Sequence, residues 1–341
     1  MPCILIVTND HDEHADAVIR ELNARDVPVF RFHPEEFPHA CSLSLDIQDG
    51  RVQGVIRNAD HAVALEDISA AWYRRARNLF EGHRLSLTSE KLDNYVRAQS
   101  TATLAALCEC LQTLWVGHPP KLRRAEVKAL QLVKASEAGL KTPHTLISND
   151  PAKVTGFADA LGNAECAVKP LVALGVTDTQ GYRLPLTTTL PRGHSLASVA
   201  AAPTIFQPYV EKAFELRCVV IGERIFAARI DSQVTEATRI DWRAGEPEHE
   251  VFALPGHIKA SIRRLMNSFG LNFASLDMIV TPEGEFVFLE LNPNGQWLWL
   301  ELELGLPLVA SMADLLTSNL RGAGRCGNAM NGSRHEVAHA S

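Results

Sequence analysis

Continuous apolar runs and stretches of helical periodicity alternate along most of the chain, and this pattern predicts a mixed α/β protein. The first apolar run, CILIV, is followed by the helical period HADAVIRELNARDV and by a second strand, PVFRF. These three segments predict a β-α-β opening. The turn after the first strand, TNDHDEH, is acidic and contains no glycine, so we do not expect it to hold a phosphate as a dinucleotide-binding turn does.

Helical patterns dominate the next part of the chain. Residues 91–115 predict one long helix that ends at Trp115, and the sequence GHPP at residues 117–120 then breaks the pattern. Two prolines after a glycine favour an extended connector, so GHPP is a predicted domain boundary. A second amphipathic helix follows and is expected to stop at Gly139. Its predicted buried face carries four apolar residues, Leu122, Ala129, Leu130 and Val133.

Shorter apolar runs in the second half of the chain predict strands. These runs are CAVKP, TIFQPYV and ELRCVVIGERIFAARI, and the last of them is expected to turn at its Gly-Glu pair. Residues 257–270 predict a helix that ends at Gly270, and residues 305–320 predict a closing helix. Between these two helices, MIVT-PEGE-FVFLELN has the pattern of a β-hairpin.

Composition narrows the class of protein. The chain has 341 residues with 46% hydrophobic content, which is enough for two or three compact units. The formal net charge is −7 and Lys and Arg do not cluster, which argues against a nucleic-acid partner. No apolar run approaches the roughly 20 residues of a membrane span. The seven cysteines are scattered and odd in number, so we expect reduced thiols in a cytoplasmic protein.

The predicted hairpin places acidic residues where a buried sheet would not tolerate them unpaired. With a loop of either two or four residues, the pairing sets Asp277 opposite Glu290. Asn292 lies two residues beyond Glu290 and therefore on the same face. Mg²⁺ would resolve the repulsion between the carboxylates, since it binds carboxylate and amide oxygens together with substrate phosphates. The alternative is that both carboxylates point to solvent on an open face of the sheet.

Three basic residues are candidates for holding such phosphates. Arg217 lies inside an apolar strand, where a guanidinium needs an anionic partner, and the alternative to a ligand is an ion pair with Glu215 or another acid. Lys169 ends an apolar strand and Lys128 lies on the preceding helix. Either lysine alone is more typical of a surface position with its ammonium in water.

The order of these parts resembles the ATP-grasp fold. The chain carries a lysine on a helix, a lysine in VKP, the hinge FQPYVEK, the strand ELRCVVIG, and an aspartate followed thirteen residues later by Glu-x-Asn. More narrowly, WYRR, YVEKAFELRCVVIGERIFAARIDSQ, DWR and LELNPNGQW resemble the ATP-grasp maturases of ribosomal peptides, the microviridin-type or graspetide ligases. The resemblance covers roughly residues 1–320 and implies an ATP-grasp fold of α+β subdomains behind an N-terminal α/β domain.

The resemblance also implies a domain division. It gives a pre-ATP-grasp domain at residues 1–118, a central ATP-grasp subdomain at 119–205 and a C-terminal ATP-grasp subdomain at 206–320. Residues 321–341 are small, polar and without periodicity, and they predict a disordered tail. The stretch that corresponds to the glycine-rich lid of the family, residues 171–188, contains only Gly175 and Gly181.

The family implies ATP and Mg²⁺ as cofactors and assigns residues to them. By motif position, Lys128 and Lys169 hold the nucleotide phosphates. The remaining nucleotide-binding residues would be those of the hinge, Gln207, Tyr209, Val210 and Glu211, with Glu211 on the ribose hydroxyls or the adenine amine. The Mg²⁺ ligands would be the carboxylates and the amide of the last hairpin, Asp277, Glu290 and Asn292.

Three arginines complete the implied site. Arg217 is the main catalytic candidate, because it would stabilise an acyl phosphate or the transferring phosphoryl group. Arg243 of DWR is a second catalytic candidate, for the acceptor, and Arg74 of WYRR is a peptide-binding candidate. For Arg243 and Arg74 the alternative is an ion pair that serves domain packing. Trp297 and Trp299 are predicted to pack in the core.

The family implies that ATP activates an Asp or Glu side chain of a ribosomal precursor peptide, and that a hydroxyl or amine of the same peptide then closes an ω-ester or ω-amide ring. One alternative is a RimK-like or glutathione-synthetase-like carboxylate–amine ligase acting on a small molecule or a peptide terminus. Another is a nucleotide-binding scaffold without turnover. The expected partners are the leader and core of the precursor and a second copy of the chain in a homodimer, without nucleic acid or membrane.

Overall fold

The structure is a computed structural model that describes residues 2–76, 89–172, 176–178, 181–183, 186–190 and 196–323. Part of the predicted lid and the predicted tail beyond residue 323 lie outside these residues. Among the described residues, the helices are too short or too polar to cross a membrane. The chain forms two compact units, which are described separately below: Met1–Pro119 together with Pro307–Ser341, and Pro120–Leu306.

The first unit contains two sheets. Its elements up to the unit boundary are β1 (Cys3–Val7), α1 (Glu13–Ala24), β2 (Val29–Phe32), β3 (Ser42–Gln48), β4 (Arg51–Arg57), β5 (Ala62–Ala64), β6 (Ile68–Tyr73), α2 (Glu90–Cys110) and β7 (Leu114–Val116). A parallel sheet has the strand order β2-β1-β6-β7, and β3-β4-β5 form an antiparallel sheet. The predicted β-α-β opening is confirmed, whereas the sheet β3-β4-β5 was not predicted.

The predicted helix at residues 91–115 is too long, because its last residues form a strand. Helix α2 ends at Cys110, and Trp115 lies in β7, where it pairs with Ala71 of β6. Thr113 N–H donates to the carbonyl of Leu111, which turns the chain out of the helix. A short apolar run beside a parallel sheet gains ladder hydrogen bonds, and this tertiary pairing outweighs the local helical pattern.

The second unit also contains two main sheets. Its elements are α3 (Pro119–Ala125), α4 (Lys128–Glu137), β8 (Leu146–Ser148), α5 (Pro151–Ala160), β9 (Cys166–Lys169), β10 (Val176–Asp178), β11 (Gly181–Arg183), β12 (Thr188–Thr189), β13 (Thr204–Pro208), β14 (Phe214–Ile221), β15 (Arg224–Ile230), α6 (Glu236–Ile240), β16 (His249–Val251), α7 (Gly256–Phe269), β17 (Phe273–Val280), β18 (Phe286–Asn292) and α8 (Leu298–Leu304). The strand orders are β12-β9-β13-β8 and β16-β15-β14-β17-β18, and both sheets are antiparallel throughout.

Most of the elements predicted for the second unit are confirmed. Strands β14 and β15 turn at Gly222 and Glu223, as expected. Helix α7 ends at Gly270, which has φ +65° and ψ +35° and so adopts the left-handed conformation that glycine favours at a helix end.

The amphipathic helix predicted after GHPP is two helices, and its predicted buried face is confirmed only at Leu122, which is buried, whereas Ala129 is exposed. Helices α3 and α4 are separated at residues 126–127, and Val133 is 53% exposed. The face of α4 that is buried carries Gln131 and Ala135 instead. A buried glutamine cannot be recognised from apolar periodicity, because its cost of burial is offset by hydrogen bonds that only the tertiary structure supplies.

The closing helix predicted at 305–320 is also divided. After α8 the chain forms α9 (Leu308–Leu316) and α10 (Ser318–Ala323). Helix α9 packs on α1, and Arg25 Nη1 binds Asp314 Oδ1 at 2.9 Å. The structure therefore groups residues from Pro307 onward with the first unit. The sequence had placed residues 307–320 in the predicted C-terminal ATP-grasp subdomain, 206–320. The predicted subdivision of the second unit stays a prediction.

The register of β17 and β18 confirms that Asp277 lies opposite Glu290, but two deviations cancel to produce it. Next to the turn, Val280 pairs with Phe286, so five residues, 281–285, separate the paired positions rather than the two or four that were assumed. A bulge between Asp277 and Met278 then shifts the register back by one residue. Because a one-residue shift moves every later side chain to the opposite face, this bulge decides which face the acidic residues occupy.

A buried charged cluster lies at the carboxyl ends of β1 and β6 in the first unit. Asp12 caps α1 by accepting from the N–H groups of His14 and Ala15 at 3.1 and 3.2 Å, and it also accepts from Arg74 Nε at 3.0 Å. Burial and the nearby Arg74 guanidinium lower the pKa of His14 from 6.5 to about 3, despite the opposing effect of Asp12. His14 is therefore buried in its neutral form.

We predict that this histidine makes the first unit sensitive to acid. The folded protein holds the pKa of His14 below its unfolded value of 6.5, so the stabilisation is complete above pH 6.5 and is lost as the pH falls toward 3. Between pH 6.5 and 4.5 the free energy of unfolding should fall by roughly 2 kcal/mol from this group. Urea unfolding at pH 7 and 4.5 measures the difference. Between these pH values, the free energy of unfolding of the His14→Gln variant should fall less than that of the wild type. An equal acid loss in the variant would contradict the assignment.

Candidate active site

A buried ion pair lies at the centre of the five-stranded sheet. Arg217 of β14 is paired directly with Asp277 of β17, and its Nη1 donates to both carboxylate oxygens at 2.7 and 2.9 Å. Its Nη2 donates to the carbonyl of Gln296 at 2.8 Å. Only 9% of the Arg217 side chain is exposed. Its buried Nε has no hydrogen-bond partner in the described part of the chain, so this guanidinium retains one unused donor.

A second charged pair lies beside the first. Lys128, at the start of α4, donates to Glu290 Oε2 at 2.5 Å. The amide of Asn292 joins the two pairs, because its Nδ2 donates to Asp277 Oδ2 at 3.1 Å and to Glu290 Oε1 at 2.9 Å. The predicted convergence of these three side chains on one face of the hairpin is confirmed. The alternative of two carboxylates pointing to solvent is wrong.

The two carboxyls differ in their acidity. Burial raises the pKa of Asp277, and the adjacent Glu290 raises it further, although Arg217 opposes both. Burial would also raise the pKa of Glu290, but the Lys128 ammonium and the Asn292 amide lower it to about 2. Glu290 therefore carries its negative charge at neutral pH.

These side chains fit a Mg²⁺ site that is completed by a ligand. Two carboxylates and an amide, all on a rigid hairpin, supply the oxygen donors that Mg²⁺ prefers. Among the described residues, no three His, Cys, Asp or Glu side chains cluster as a metal site. A site with only two carboxylates is suited to Mg²⁺ that keeps water and binds phosphate oxygens as well.

Lys169 differs from Lys128 in its contacts with the described part of the chain. It ends β9, and in the described residues its ammonium makes neither a hydrogen bond nor an ion pair. Burial lowers the pKa of Lys169, while Glu290 raises it and Lys212 lowers it. These influences place Lys169 in the same electrostatic environment as the carboxylates. An ammonium withdrawn from water and without a partner is suited to bind an anion.

The hinge residues lie along the end of β13 and the segment after it. Gln207 is buried, and its Nε2 donates to Thr145 Oγ1 at 2.9 Å. Tyr209 donates from its hydroxyl to the carbonyl of Arg239 at 3.0 Å, and the Arg239 guanidinium lies 5.4 Å from the Tyr209 ring centroid. Val210 is half-buried and Glu211 is exposed. Their predicted contacts with adenine and ribose stay predictions.

Sequence reasoning missed a buried ion pair next to these residues. Lys212 Nζ donates to Glu215 Oε1 at 2.7 Å and to the carbonyl of Ile240 at 3.1 Å. Burial raises the pKa of Glu215, and Lys212 opposes the rise. The signal was present, since Glu215 lies two positions from Arg217 in the same strand and so on the same face.

The motif DWR contributes one buried and one exposed charge. Asp241 is buried and accepts from Arg243 Nε at 2.8 Å and from Arg243 Nη2 at 2.6 Å. It also accepts from the N–H of Thr187 at 3.2 Å. About half of the Arg243 side chain, 51%, is exposed, and its pKa is raised by Asp241 and, more weakly, by Asp277 and Glu290. Arg243 is thus oriented by Asp241 with part of its surface open to a ligand.

Arg74 belongs to the first unit. It is 1% exposed, and its guanidinium binds Asp12 and lies 5.8 Å from the Trp72 ring centroid. In the described structure it forms the structural ion pair that was the alternative to peptide binding.

The loop after β18 approaches the arginine closely. A Cβ atom on Gly295 would lie 2.5 Å from Ser275 Cβ and 3.0 Å from Arg217 Nη2, so only glycine fits without a shift. Trp297 is fully buried, as predicted. Trp299 is half-buried and its ring contacts those of Trp242 and His249, with centroids 5.7 and 4.8 Å apart.

Comparisons with known proteins identify the family of the chain. The family model described as "MvdD pre-ATP grasp domain" matches residues 3–123. A solved structure of a RiPP-associated ATP-grasp ligase from Chryseobacterium gregarium is 30% identical, with a TM-score of 0.85 over 93% of this chain and 97% of that one. The chain belongs to the RiPP-associated ATP-grasp ligases, enzymes of ribosomally synthesised and post-translationally modified peptides.

Two further proteins are similar to this ATP-grasp ligase. Macrocyclase MdnC from Microcystis aeruginosa MRC, solved with the precursor peptide MdnA, is 30% identical, with a TM-score of 0.81 over 93% of this chain and 99% of that one. "Probable alpha-L-glutamate ligase 2" of Shewanella denitrificans is 25% identical over 203 residues, which is 58% of this chain. The match spans 64% of the length of that curated relative.

We predict that the two carboxylates of this ATP-grasp ligase differ in their contribution to stability. Asp277→Asn leaves the buried Arg217 without a charged partner and should cost about 3 kcal/mol of unfolding free energy. Glu290→Gln should cost less, about 1–2 kcal/mol, because Lys128 and Glu290 are 21% and 32% exposed and their charges can be partly hydrated. Urea unfolding at pH 7 compares the variants. Equal losses would show that the two pairs are equally buried.

Proposed function

We propose that this protein is an ADP-forming ligase that activates Asp or Glu side chains of a ribosomal precursor peptide and closes ω-ester or ω-amide rings. The observation that carries the proposal is the convergence of Asp277, Glu290 and Asn292 with Arg217 and Lys128 on one face of the sheet. The solved C. gregarium ligase, which contains ADP with a leader and a core peptide, and MdnC with its precursor peptide support the substrate class.

The chemistry needs charge neutralisation and positioning rather than a covalent enzyme intermediate. A peptide carboxylate attacks the γ-phosphorus of ATP, the bond to the β,γ-bridging oxygen breaks, and ADP leaves. A hydroxyl or amine of the same peptide then attacks the acyl carbon, loses its proton, and releases inorganic phosphate. Both steps pass through negatively charged transition states, which fixed cations stabilise without reorganisation.

The residues divide this work by their environment. Lys169, which has no partner among the described residues, would bind a phosphate oxygen directly. Lys128 would exchange Glu290 for phosphate. Asp277, Glu290 and Asn292 would hold Mg²⁺, which when bound screens the phosphate charge and orients the phosphoryl group. Arg217 would use its free Nε–H near the transferring group, and half-exposed Arg243 would orient the peptide carboxylate.

A carboxylate–amine ligase is the second candidate. The probable alpha-L-glutamate ligase of S. denitrificans supports it, because its name describes the ligation of an amino acid. The two candidates share the acyl-phosphate step and differ in the nucleophile. The proposed cellular setting is a cytoplasmic homodimer, which light scattering would test. The described cysteines, all of them free thiols, support a reducing compartment.

We expect the protein to dehydrate its precursor. The peptide encoded beside the gene, incubated with the protein, ATP and Mg²⁺, should lose the mass of one water for each ring while ADP is released. Esters should reopen in mild base, whereas amides should persist. Glu290→Gln is the matched inactive control, since it removes charge with little change in volume. An unchanged peptide mass, with ADP release that depends on free amino acids, would favour the second candidate.

We also expect Arg217 to act on the transition state more than on the nucleotide. Arg217→Lys keeps one positive charge but loses the fork and Nε–H, so ring formation should fall by about 10²-fold or more. The affinity for ADP should change by no more than a few-fold, because the product lacks the transferred phosphoryl group. Calorimetry and single-turnover mass spectrometry measure the two quantities. Losses of equal size would make Arg217 a nucleotide-binding residue.

A further inference from the structure

A buried glutamine links helix α4 to the strand that carries the candidate metal ligands. Gln131 is 1% exposed, and its side-chain amide makes three hydrogen bonds. Its Nε2 donates to the carbonyl of Leu291 at 2.8 Å and to the carbonyl of Ala125 at 2.6 Å. Its Oε1 accepts from the N–H of Leu291 at 3.0 Å. Both amide atoms of Gln131 are therefore satisfied inside the protein.

These hydrogen bonds restrain the edge strand β18 at Leu291. Strand β18 is an edge strand of the five-stranded sheet, so its outer backbone groups do not pair with another strand of that sheet. The amide of Gln131 pairs with Leu291 in both directions, as a neighbouring strand residue would. Leu291 lies between Glu290 and Asn292. The glutamine therefore restrains the backbone that positions both side chains.

The same helix carries the lysine of the second ion pair. Lys128 precedes Gln131 by three residues and so lies on the same side of α4. Its ammonium reaches Glu290, while Gln131 binds the next residue of the strand. Two adjacent side chains of one helix thus contact two adjacent residues of one strand. Only the Lys128 contact is with a charged group that a ligand could replace.

We propose that Gln131 is a positioning residue that fixes the separation of Lys128 from the Mg²⁺ ligands and keeps it fixed when Lys128 leaves Glu290 for a phosphate. This inference rests on the nucleotide-binding part of the proposed function. Gln131 is buried beneath the site and acts through Leu291. Its removal should reduce Mg²⁺-dependent nucleotide binding, since partners that orient metal ligands commonly contribute 10-fold or more to affinity.

The test measures ADP binding by calorimetry with Mg²⁺ and with EDTA. The wild-type protein should gain affinity when Mg²⁺ is present. Gln131→Met keeps the volume but loses all three hydrogen bonds. In this variant the increase in ADP affinity caused by Mg²⁺ should be about 10-fold smaller than in the wild type, and the ADP affinity in EDTA should change by less than about 2-fold. Gln131→Asn keeps the amide but is one methylene shorter, and it should also reduce the gain in ADP affinity caused by Mg²⁺. This variant replaces Gln131→Met in the test if the methionine variant does not fold.

The matched control separates positioning from stability. Ile262→Val removes a methyl group from the buried face of α7 and leaves the amide of Gln131 intact. A Gln131 variant whose Mg²⁺ gain matches that of the control would make Gln131 a purely structural residue and overturn the inference. Absence of Mg²⁺-dependent ADP binding in the wild-type protein would instead overturn the proposed function. The two failures are therefore distinguishable.

Discussion

The site depends on one electrostatic constraint, the opposition of Asp277 and Glu290 across two antiparallel strands. Two carboxylates at paired positions repel, and withdrawal from water makes each of them more costly. The protein stabilises them with a cation for each, Arg217 and Lys128, and with one amide between them. The positions of the surrounding elements follow from this need. Helix α4 must bring Lys128 to the sheet, and β14 must present Arg217 next to β17.

The two cations satisfy that need in different ways. Arg217 is held by Asp277, by the carbonyl of Gln296 and by the close approach of Gly295, so its guanidinium has little freedom. Among the described residues, Lys128 has one hydrogen-bond partner, Glu290, and more of its side chain is exposed. The first pair is therefore a permanent part of the fold. The second can be exchanged at low cost, because water can hydrate the separated charges.

Much of this arrangement could be predicted from the sequence, because alternating strand patterns fix which side chains share a face. The grouping of Asp277, Glu290 and Asn292 followed from spacing alone, and the family resemblance supplied Lys128. The loop length and the bulge in the hairpin could not be predicted, and the register was right only because the two deviations cancelled. Gln131 was missed because a buried amide has no apolar signature, and its partner on the strand, Leu291, lies 160 residues away in the chain.

The two lysines differ in what each would gain when a phosphate binds to the site. Lys169 makes no hydrogen bond among the described residues, and burial lowers its pKa, so its charge is a cost that an anion would relieve. Lys128 already has Glu290, and it would gain from a phosphate only if a metal ion took over that carboxylate. In the proposed site, phosphate binding by Lys128 and metal binding by Glu290 would therefore favour each other, because each would release the partner that the other requires. The rigid strand that carries Glu290, fixed at Leu291, allows this exchange to occur without movement of the backbone.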